Sequence, residues 1–171
     1  MSSINLWGYT EKNFQKEKYP LNETLFALGN RYIGTRGSFE EKSDFGGHDG
    51  TFINGFYDYY DLSYGEKYNG YPDRSHAMLN VTNGKRIDIY INNERFSLEK
   101  GTIKDYVREI DFKKGILTRR VTWISEKGDE ILYESERLVS FYEKHLMISK
   151  IRITPLNFDG DIRVVSYLEG D

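Results

Sequence analysis

Residues 46–50 read Gly-Gly-His-Asp-Gly, which places His48 next to Asp49 in a glycine-rich segment. An imidazole beside a carboxylate is a typical pair for general acid–base catalysis. The same residues describe equally well a glycine-rich turn with a solvated imidazole. His76 and His145 are distant in sequence, and no G-x-S-x-G motif is present, so we expect neither a metal site nor a nucleophilic triad.

Residues 23–41 contain three glycines and two arginines, and Arg31 and Arg36 are each a candidate for ligand contact. A guanidinium can clamp a phosphate or a carboxylate with two parallel hydrogen bonds. The glycines lack the spacing of a phosphate-binding loop and are more typical of hairpin turns. Since Glu40 and Glu41 follow closely, the simpler interpretation is an intramolecular ion pair between these arginines and the glutamates.

An aromatic tract covers residues 56–71 and includes Tyr60, Tyr64 and Tyr68. Aromatic faces stack on sugars, and tyrosine is also enriched at protein–protein interfaces. Carboxylates interleave with these tyrosines, but acidic residues in a tyrosine- and glycine-rich segment are ordinary surface chemistry. The tract therefore leaves open a sugar-binding rim, a domain interface or a plain surface.

Composition excludes several classes of protein. The 171 residues carry 24 Lys+Arg against 27 Asp+Glu, a net charge of −3, which argues against nucleic-acid and anionic-membrane partners. Aromatic residues make up 15% of the chain, so it is not disordered. With no cysteine, no secretion signal and no long apolar run, a cytoplasmic protein is expected.

The hydrophobic pattern is mostly period two, broken by Gly, Asn and Asp turns, and predicts strands with little helix. Residues 60–76 read as a long loop. The first half contains five short predicted strands and the second half five longer ones; their ranges are 24–28, 32–35, 51–57, 86–91, 95–98, 102–111, 116–125, 130–141, 146–155 and 162–168. The fold class is all-β, an antiparallel meander in a large β-sandwich.

Several segments resemble the N-terminal domain of the family-65 glycoside hydrolases, which include maltose, kojibiose and trehalose phosphorylases. The similarity runs in the right order over the whole length. It is carried by residues 23–41, 50–58, 78–81, 115–119, 123, 136–140 and 153–157. One departure is Arg31, where many members carry glycine.

The resemblance implies a supersandwich of the galactose mutarotase type, expected to be incomplete at its C-terminal end, so that residues 1–171 form a fragment of a two-domain enzyme. The parent would carry an (α/α)6 barrel whose glutamate acts as general acid while phosphate attacks with inversion. It would convert an α-linked disaccharide, maltose first, to β-glucose 1-phosphate and glucose. Phosphate is then a co-substrate, and no metal or organic cofactor is implied.

On this reading the chain holds no catalytic residue. Its expected roles are scaffold, homo-oligomer interface and pocket rim, with Arg36, His48, Asp49, Tyr60, Tyr64 and Tyr68 at the rim or the interface with the barrel. Two alternatives stay open: an independent carbohydrate-binding module, and a parent that hydrolyses α-glucosides. If late strands are missing, uncovered sheet edges favour self-association.

Overall fold

The computed structural model describes residues 6–170, and their regular secondary structure is almost entirely β. A 3-10 turn (Lys16–Lys18) leads into α1 (Tyr19–Leu25), the one α-helix among the described residues. The strands are β1 (Gly8–Glu11), β2 (Leu28–Gly29), β3 (Ile33–Thr35), β4 (Thr51–Asp61), β5 (Arg74–Asn80), β6 (Ile87–Ile91), β7 (Glu94–Arg95), β8 (Thr102–Asp111), β9 (Ile116–Ile124), β10 (Glu130–Val139), β11 (Met147–Pro155) and β12 (Ile162–Ser166).

Three antiparallel sheets form from these strands. The largest has the order β1-β8-β9-β10-β11, and the others have the orders β12-β6-β7 and β2-β3-β4-β5. The predicted all-β sandwich is therefore confirmed. In the described part of the chain, no helix is long and apolar enough to cross a membrane.

Period-two alternation places one face of the five-stranded sheet in the core. Its rows of aligned residues run across β8, β9 and β10, and the row Tyr106–Val121–Tyr133 is buried throughout. The three-stranded sheet covers this end of the face with Ile89 and Ile91. The four-stranded sheet contributes to a second apolar cluster, which forms around the far ends of β8, β9 and β10. The core thus consists of two apolar clusters on one sheet.

Several elements differ from the sequence prediction, which contained neither β1 nor β5 and placed a strand over residues 95–98 where only Glu94–Arg95 is strand. Residues 24–28 were expected to be a strand, but helix α1 occupies Tyr19–Leu25, with Pro20 in its first turn, and only Leu28–Gly29 is strand. The loop predicted over residues 60–76 is shorter, because β4 extends to Asp61 and β5 begins at Arg74. That region is a long hairpin with its tip at residues 62–73.

Turn residues between strands agree with the prediction. Asn92 and Asn93 join β6 to β7 with φ of 45° and 66°, the left-handed conformation that asparagine tolerates and two-residue hairpins require. Gly115 and Gly128 also have positive φ, between β8 and β9 and between β9 and β10. These turns fix the register of the meander.

Candidate functional site

A row of arginines separates the two apolar clusters. Arg108 and Arg119 are aligned on adjacent strands of the five-stranded sheet, and Arg137 lies one row further on β10. All three are at most 3% exposed. Since an unpaired buried charge costs several kcal/mol, these side chains need partners inside the protein.

The partners come from the segment that follows β3. The Glu40 carboxylate accepts hydrogen bonds from Arg119 Nη2 at 3.0 Å, Arg137 Nη2 at 2.5 Å and the Tyr133 hydroxyl at 2.9 Å. Glu41 accepts from Arg119 Nη1 at 2.9 Å and also from its Nη2. This segment is thereby clamped across the middle of the sheet.

In this network, burial and the neighbouring arginines act on the pKa of Glu40 in opposite directions. Burial alone would raise the pKa of Glu40, but Arg137, Arg119 and Arg108 outweigh it and lower that pKa to about 2. Burial raises the pKa of Tyr133 well above its usual value. Glu40 is therefore an ionised structural group rather than a proton donor.

Sequence reasoning missed this network and paired Arg36 with Glu40 and Glu41. That ion pair is wrong: both glutamates face the core arginines, whereas Arg36 Nη2 lies 3.7 Å from Glu23 and 3.0 Å from the Thr24 hydroxyl. The period-two pattern of β8 and β9 could have indicated that these arginines are buried, because Arg108 and Arg119 occupy positions that face the core. Their partners could not be found from sequence spacing.

The glycine-rich segment at residues 46–50 wraps around Glu23. The buried Glu23 carboxylate accepts the His48 backbone N–H at 2.8 Å. Gly47 has a φ of 112°, and a Cβ there would collide with the same carboxylate. Arg36 and His48 thus meet at Glu23, which sequence reasoning did not select.

Asp49 has partners other than the His48 imidazole. Its carboxylate accepts from Ser38 Oγ at 2.6 Å, Lys85 Nζ at 2.5 Å and Asn83 Nδ2 at 2.7 Å. Burial lowers the pKa of Lys85, and Asp49 opposes that effect. Asp49 therefore ties the glycine-rich segment to the buried Lys85.

A cleft of about 500 Å³ opens beside these groups. Carboxylates dominate its lining, with Glu23, Asp44, Asp49 and Glu169 among them. No group of three or more His, Cys, Asp or Glu within residues 6–170 is placed to hold a metal ion. The cleft is acidic, and two of its carboxylates, Glu23 and Asp49, serve to hold the segment at residues 46–50.

Tyr60, Tyr64 and Tyr68 lie elsewhere, on the β4–β5 hairpin. Tyr60 is 49% and Tyr68 59% exposed. At the tip, the rings of Tyr64 and Tyr68 lie 4.9 Å and 5.6 Å from Tyr71 between centroids. On β4, Tyr59 packs edge-on against His76 at 4.4 Å. The hairpin is therefore an exposed aromatic surface with its own internal packing.

Comparisons with known proteins agree with this architecture. Residues 9–171 match the family described as "Glycosyl hydrolase family 65, N-terminal domain". The chain is 39% identical to an alpha,alpha-trehalose phosphorylase of Thermoanaerobacter brockii, over 96% of this chain and 22% of that protein. It is 32% identical to a maltose phosphorylase of Bacillus subtilis (strain 168), over 98% of this chain and 22% of that protein.

A solved structure described as "Putative kojibiose phosphorylase from human microbiome" superposes with a TM-score of 0.82 at 29% identity, covering 92% of this chain and 21% of that one. The chain therefore belongs to the N-terminal domain family of the family 65 glycosyl hydrolases. It spans about a fifth of the length of the relatives that it matches. The family resemblance expected from the sequence is thus confirmed.

Proposed function

We propose that the chain is the non-catalytic N-terminal domain of an inverting disaccharide phosphorylase. The relatives named trehalose, kojibiose and maltose phosphorylase support the reaction class. Maltose is our first choice of substrate. In the parent, a glutamate outside this chain would protonate the glycosidic oxygen while phosphate attacks the anomeric carbon from the opposite face, giving β-glucose 1-phosphate and glucose.

The observation that carries the proposal is that the buried carboxylates of this domain are engaged by partners within it, which leaves them without the properties of a glycosidase acid. The buried carboxylate with the most strongly lowered pKa, Glu40, is neutralised by arginines, and Asp49 by Lys85, so both stabilise the domain. A glycosidase acid needs a raised pKa and an open face toward the sugar. Glu11, whose pKa burial raises, is itself buried, and its two oxygens accept bonds from Asn22 and Tyr106.

The β4–β5 hairpin gives the domain its role toward the rest of the parent. Beyond its first residues β4 is mostly exposed, and the hairpin presents large side chains to solvent: Phe56, Tyr59, Tyr60, Tyr68, Tyr71 and Met78. Aromatic residues and methionine are enriched at protein interfaces. We propose that the hairpin docks on the catalytic barrel or on a second subunit, and that Tyr60, Tyr64 and Tyr68 lie at the rim of the sugar pocket.

Activity assays test this proposal directly. The 171-residue chain and the full-length product of its gene are incubated with maltose, trehalose and kojibiose, each with and without phosphate. We expect glucose 1-phosphate only from the full-length protein and only with phosphate. Turnover by the 171-residue chain would overturn the non-catalytic role, and phosphate-independent release of glucose would replace the phosphorylase with a hydrolase.

A further inference from the structure

A groove crosses the four-stranded sheet on the face away from the core. One row of aligned residues runs across all four strands in the order Gly29, Gly34, Phe52 and Asn80. Neighbours in such a row share a face of the sheet, so two adjacent positions of this face carry no side chain. The resulting groove has a volume of about 320 Å³.

The floor of the groove is open at Gly34. A Cβ built on Gly34 meets no atom within 4 Å, whereas one built on Gly50 would lie 2.7 Å from the Phe52 ring. Phe52 therefore leans toward Gly50 and leaves the glycine floor uncovered. A flat ligand ring could lie directly against the backbone at this point.

The walls of the groove are largely apolar. Phe52, the 49%-exposed Met78 and Tyr32 line the groove, and Tyr32 also packs against the second apolar cluster. The Tyr32 ring is held in place by His145, whose ring lies edge-on at 4.5 Å, and by Lys144, whose Nζ lies 5.3 Å from its centroid. Fixed aromatic walls beside an open floor suit the apolar face of a pyranose.

Polar groups at the rim have unused hydrogen-bonding capacity. Within residues 6–170, the Arg31 guanidinium has no hydrogen bond or ion pair, and neither Asn54 Nδ2 nor the Tyr32 hydroxyl has a hydrogen bond, although Asn54 Oδ1 accepts from Tyr57 at 3.1 Å. Arg31 also has a φ of 76°. A non-glycine residue in this region is strained, and such strain clusters at functional positions.

The turn that presents Arg31 is rigid. Asn30 is buried, and its Oδ1 accepts the backbone N–H groups of Tyr32 and Ile33 at 3.0 and 2.8 Å. Its Nδ2 donates to the carbonyls of Ser140 and Lys144. The backbone of this turn is therefore held in place before any ligand arrives.

We propose that this groove, lined by residues of this domain, is a binding site for a neutral glucose oligosaccharide. One pyranose ring lies on Gly34 between Phe52 and Tyr32, and its hydroxyls bond to Arg31 and Asn54. The choice of glucose units rests on the proposed function, whereas the groove itself does not. Apart from Arg31, the described residues that line the groove are uncharged, so most of its surface suits a neutral ring, and the Arg31 guanidinium can donate to sugar hydroxyls.

Titration of the ¹⁵N-labelled 171-residue chain with maltotriose tests the proposal by NMR. We expect saturable shifts of the backbone amide signals of Gly29 and Gly34 and of the side-chain amide signals of Asn54. The dissociation constant should be on the order of 1 mM, because the site is shallow. Inorganic phosphate should not reproduce them. Absence of shifts at 50 mM maltotriose, or identical shifts with phosphate alone, overturns the proposal.

Gly34→Leu fills the floor of the groove, and its backbone conformation tolerates a side chain. We expect binding to weaken by about tenfold or more. Gly65→Leu is the matched control, because Gly65 lies in the hairpin tip and an added Cβ there also meets nothing within 4 Å. Equal affinity of the Gly34→Leu and Gly65→Leu chains contradicts the site.

Arg31→Gly separates ligand contact from folding. Glycine relieves the strain at φ 76°, so thermal stability should be kept or slightly raised. Maltotriose affinity should nevertheless fall, since the guanidinium is lost. Undiminished affinity in a folded Arg31→Gly chain would remove Arg31 from the site and contradict the proposed binding mode. The outcome is independent of the activity assays, because it concerns binding by the 171-residue chain alone.

Discussion

The charged centre of the five-stranded sheet and the β4–β5 hairpin use polar and aromatic residues in opposite ways. In the centre, Glu40 and Glu41 are buried against Arg119 and Arg137. On the hairpin, Tyr60 and Tyr68 remain about half exposed. The residue types that suggest chemistry therefore stabilise the fold in one region, and in the other they form a surface available to a partner.

The difference between the buried network and the exposed hairpin also indicates which residues can be substituted without unfolding the domain. A buried ion network leaves its remaining members unpaired when one is removed, so its residues depend on one another. Exposed tyrosines on a two-stranded hairpin carry no such dependence. Mutations of the hairpin surface should therefore leave stability largely unchanged, whereas mutations of the buried network should not.

Removal of Glu40 should have the largest effect. Glu40→Ala leaves the buried Arg137 without its carboxylate partner and leaves Arg119 with Glu41 alone, and we expect a loss of about 3–5 kcal/mol in unfolding free energy. Urea denaturation measures it. The matched control is Glu136→Ala, because Glu136 pairs with Lys150 on the exposed face and should cost about 1 kcal/mol or less. Similar losses in both variants would contradict a structural role for the buried network.

Acid should weaken the same network. The pKa of Glu40 is lowered from 4.5 to about 2, so its contribution to stability is present above pH 4.5 and is lost as the pH falls toward 2. The shift corresponds to about 3 kcal/mol. Glu11, with a raised pKa, acts in the opposite direction just above pH 4.5. Urea midpoints at pH 6 and pH 3 measure the change; an unchanged midpoint would be incompatible with an ionised Glu40.

Gly37 tests how tightly the clamped segment packs. An added Cβ would lie 2.6 Å from Phe26 Cβ and 2.7 Å from its backbone, so Gly37→Ala should cost about 1–3 kcal/mol. Gly34→Ala is the control, since Cβ there meets nothing within 4 Å. Thermal unfolding distinguishes them. If both variants melt at the same temperature, the segment at Gly37 does not pack tightly against Phe26.

The hairpin should show the smallest effect on stability. Tyr68→Ala removes a side chain that is 59% exposed and should change the unfolding free energy by about 0.5 kcal/mol or less. Tyr133→Ala, the buried counterpart, should cost about 3–5 kcal/mol. A large loss from Tyr68→Ala would mean that the hairpin tip supports the sandwich.

The long strands of the second half could be predicted from the sequence because alternation and polar turns are local signals. Residues 102–111 and 116–125 were expected as strands, and β8 and β9 occupy Thr102–Asp111 and Ile116–Ile124. Helix α1 was missed because Leu25-Phe26-Ala27-Leu28 forms an apolar run typical of a strand. A seven-residue helix is set by its packing rather than by a periodic pattern.

The site was less accessible to sequence reasoning. Arg36, His48 and Asp49 were selected by residue type, but Glu23 and Lys85, which bind them, are distant in sequence and carry no motif. The groove at Gly34 depends on which residues align across four strands, and that register involves the β-bulge between Phe52 and Tyr57. Both features arise from tertiary placement.

In the function proposed above, the hairpin serves docking, while the buried charges serve the fold. The most direct measurement is phosphate-dependent release of glucose 1-phosphate by the full-length gene product carrying Tyr60→Ala, Tyr64→Ala and Tyr68→Ala together. We predict a loss of about tenfold or more in kcat/KM, equivalent to about 1.4 kcal/mol, while the 171-residue chain with the same changes unfolds at the wild-type urea midpoint. Full activity in the triple variant, or unfolding of the short chain, would contradict the account.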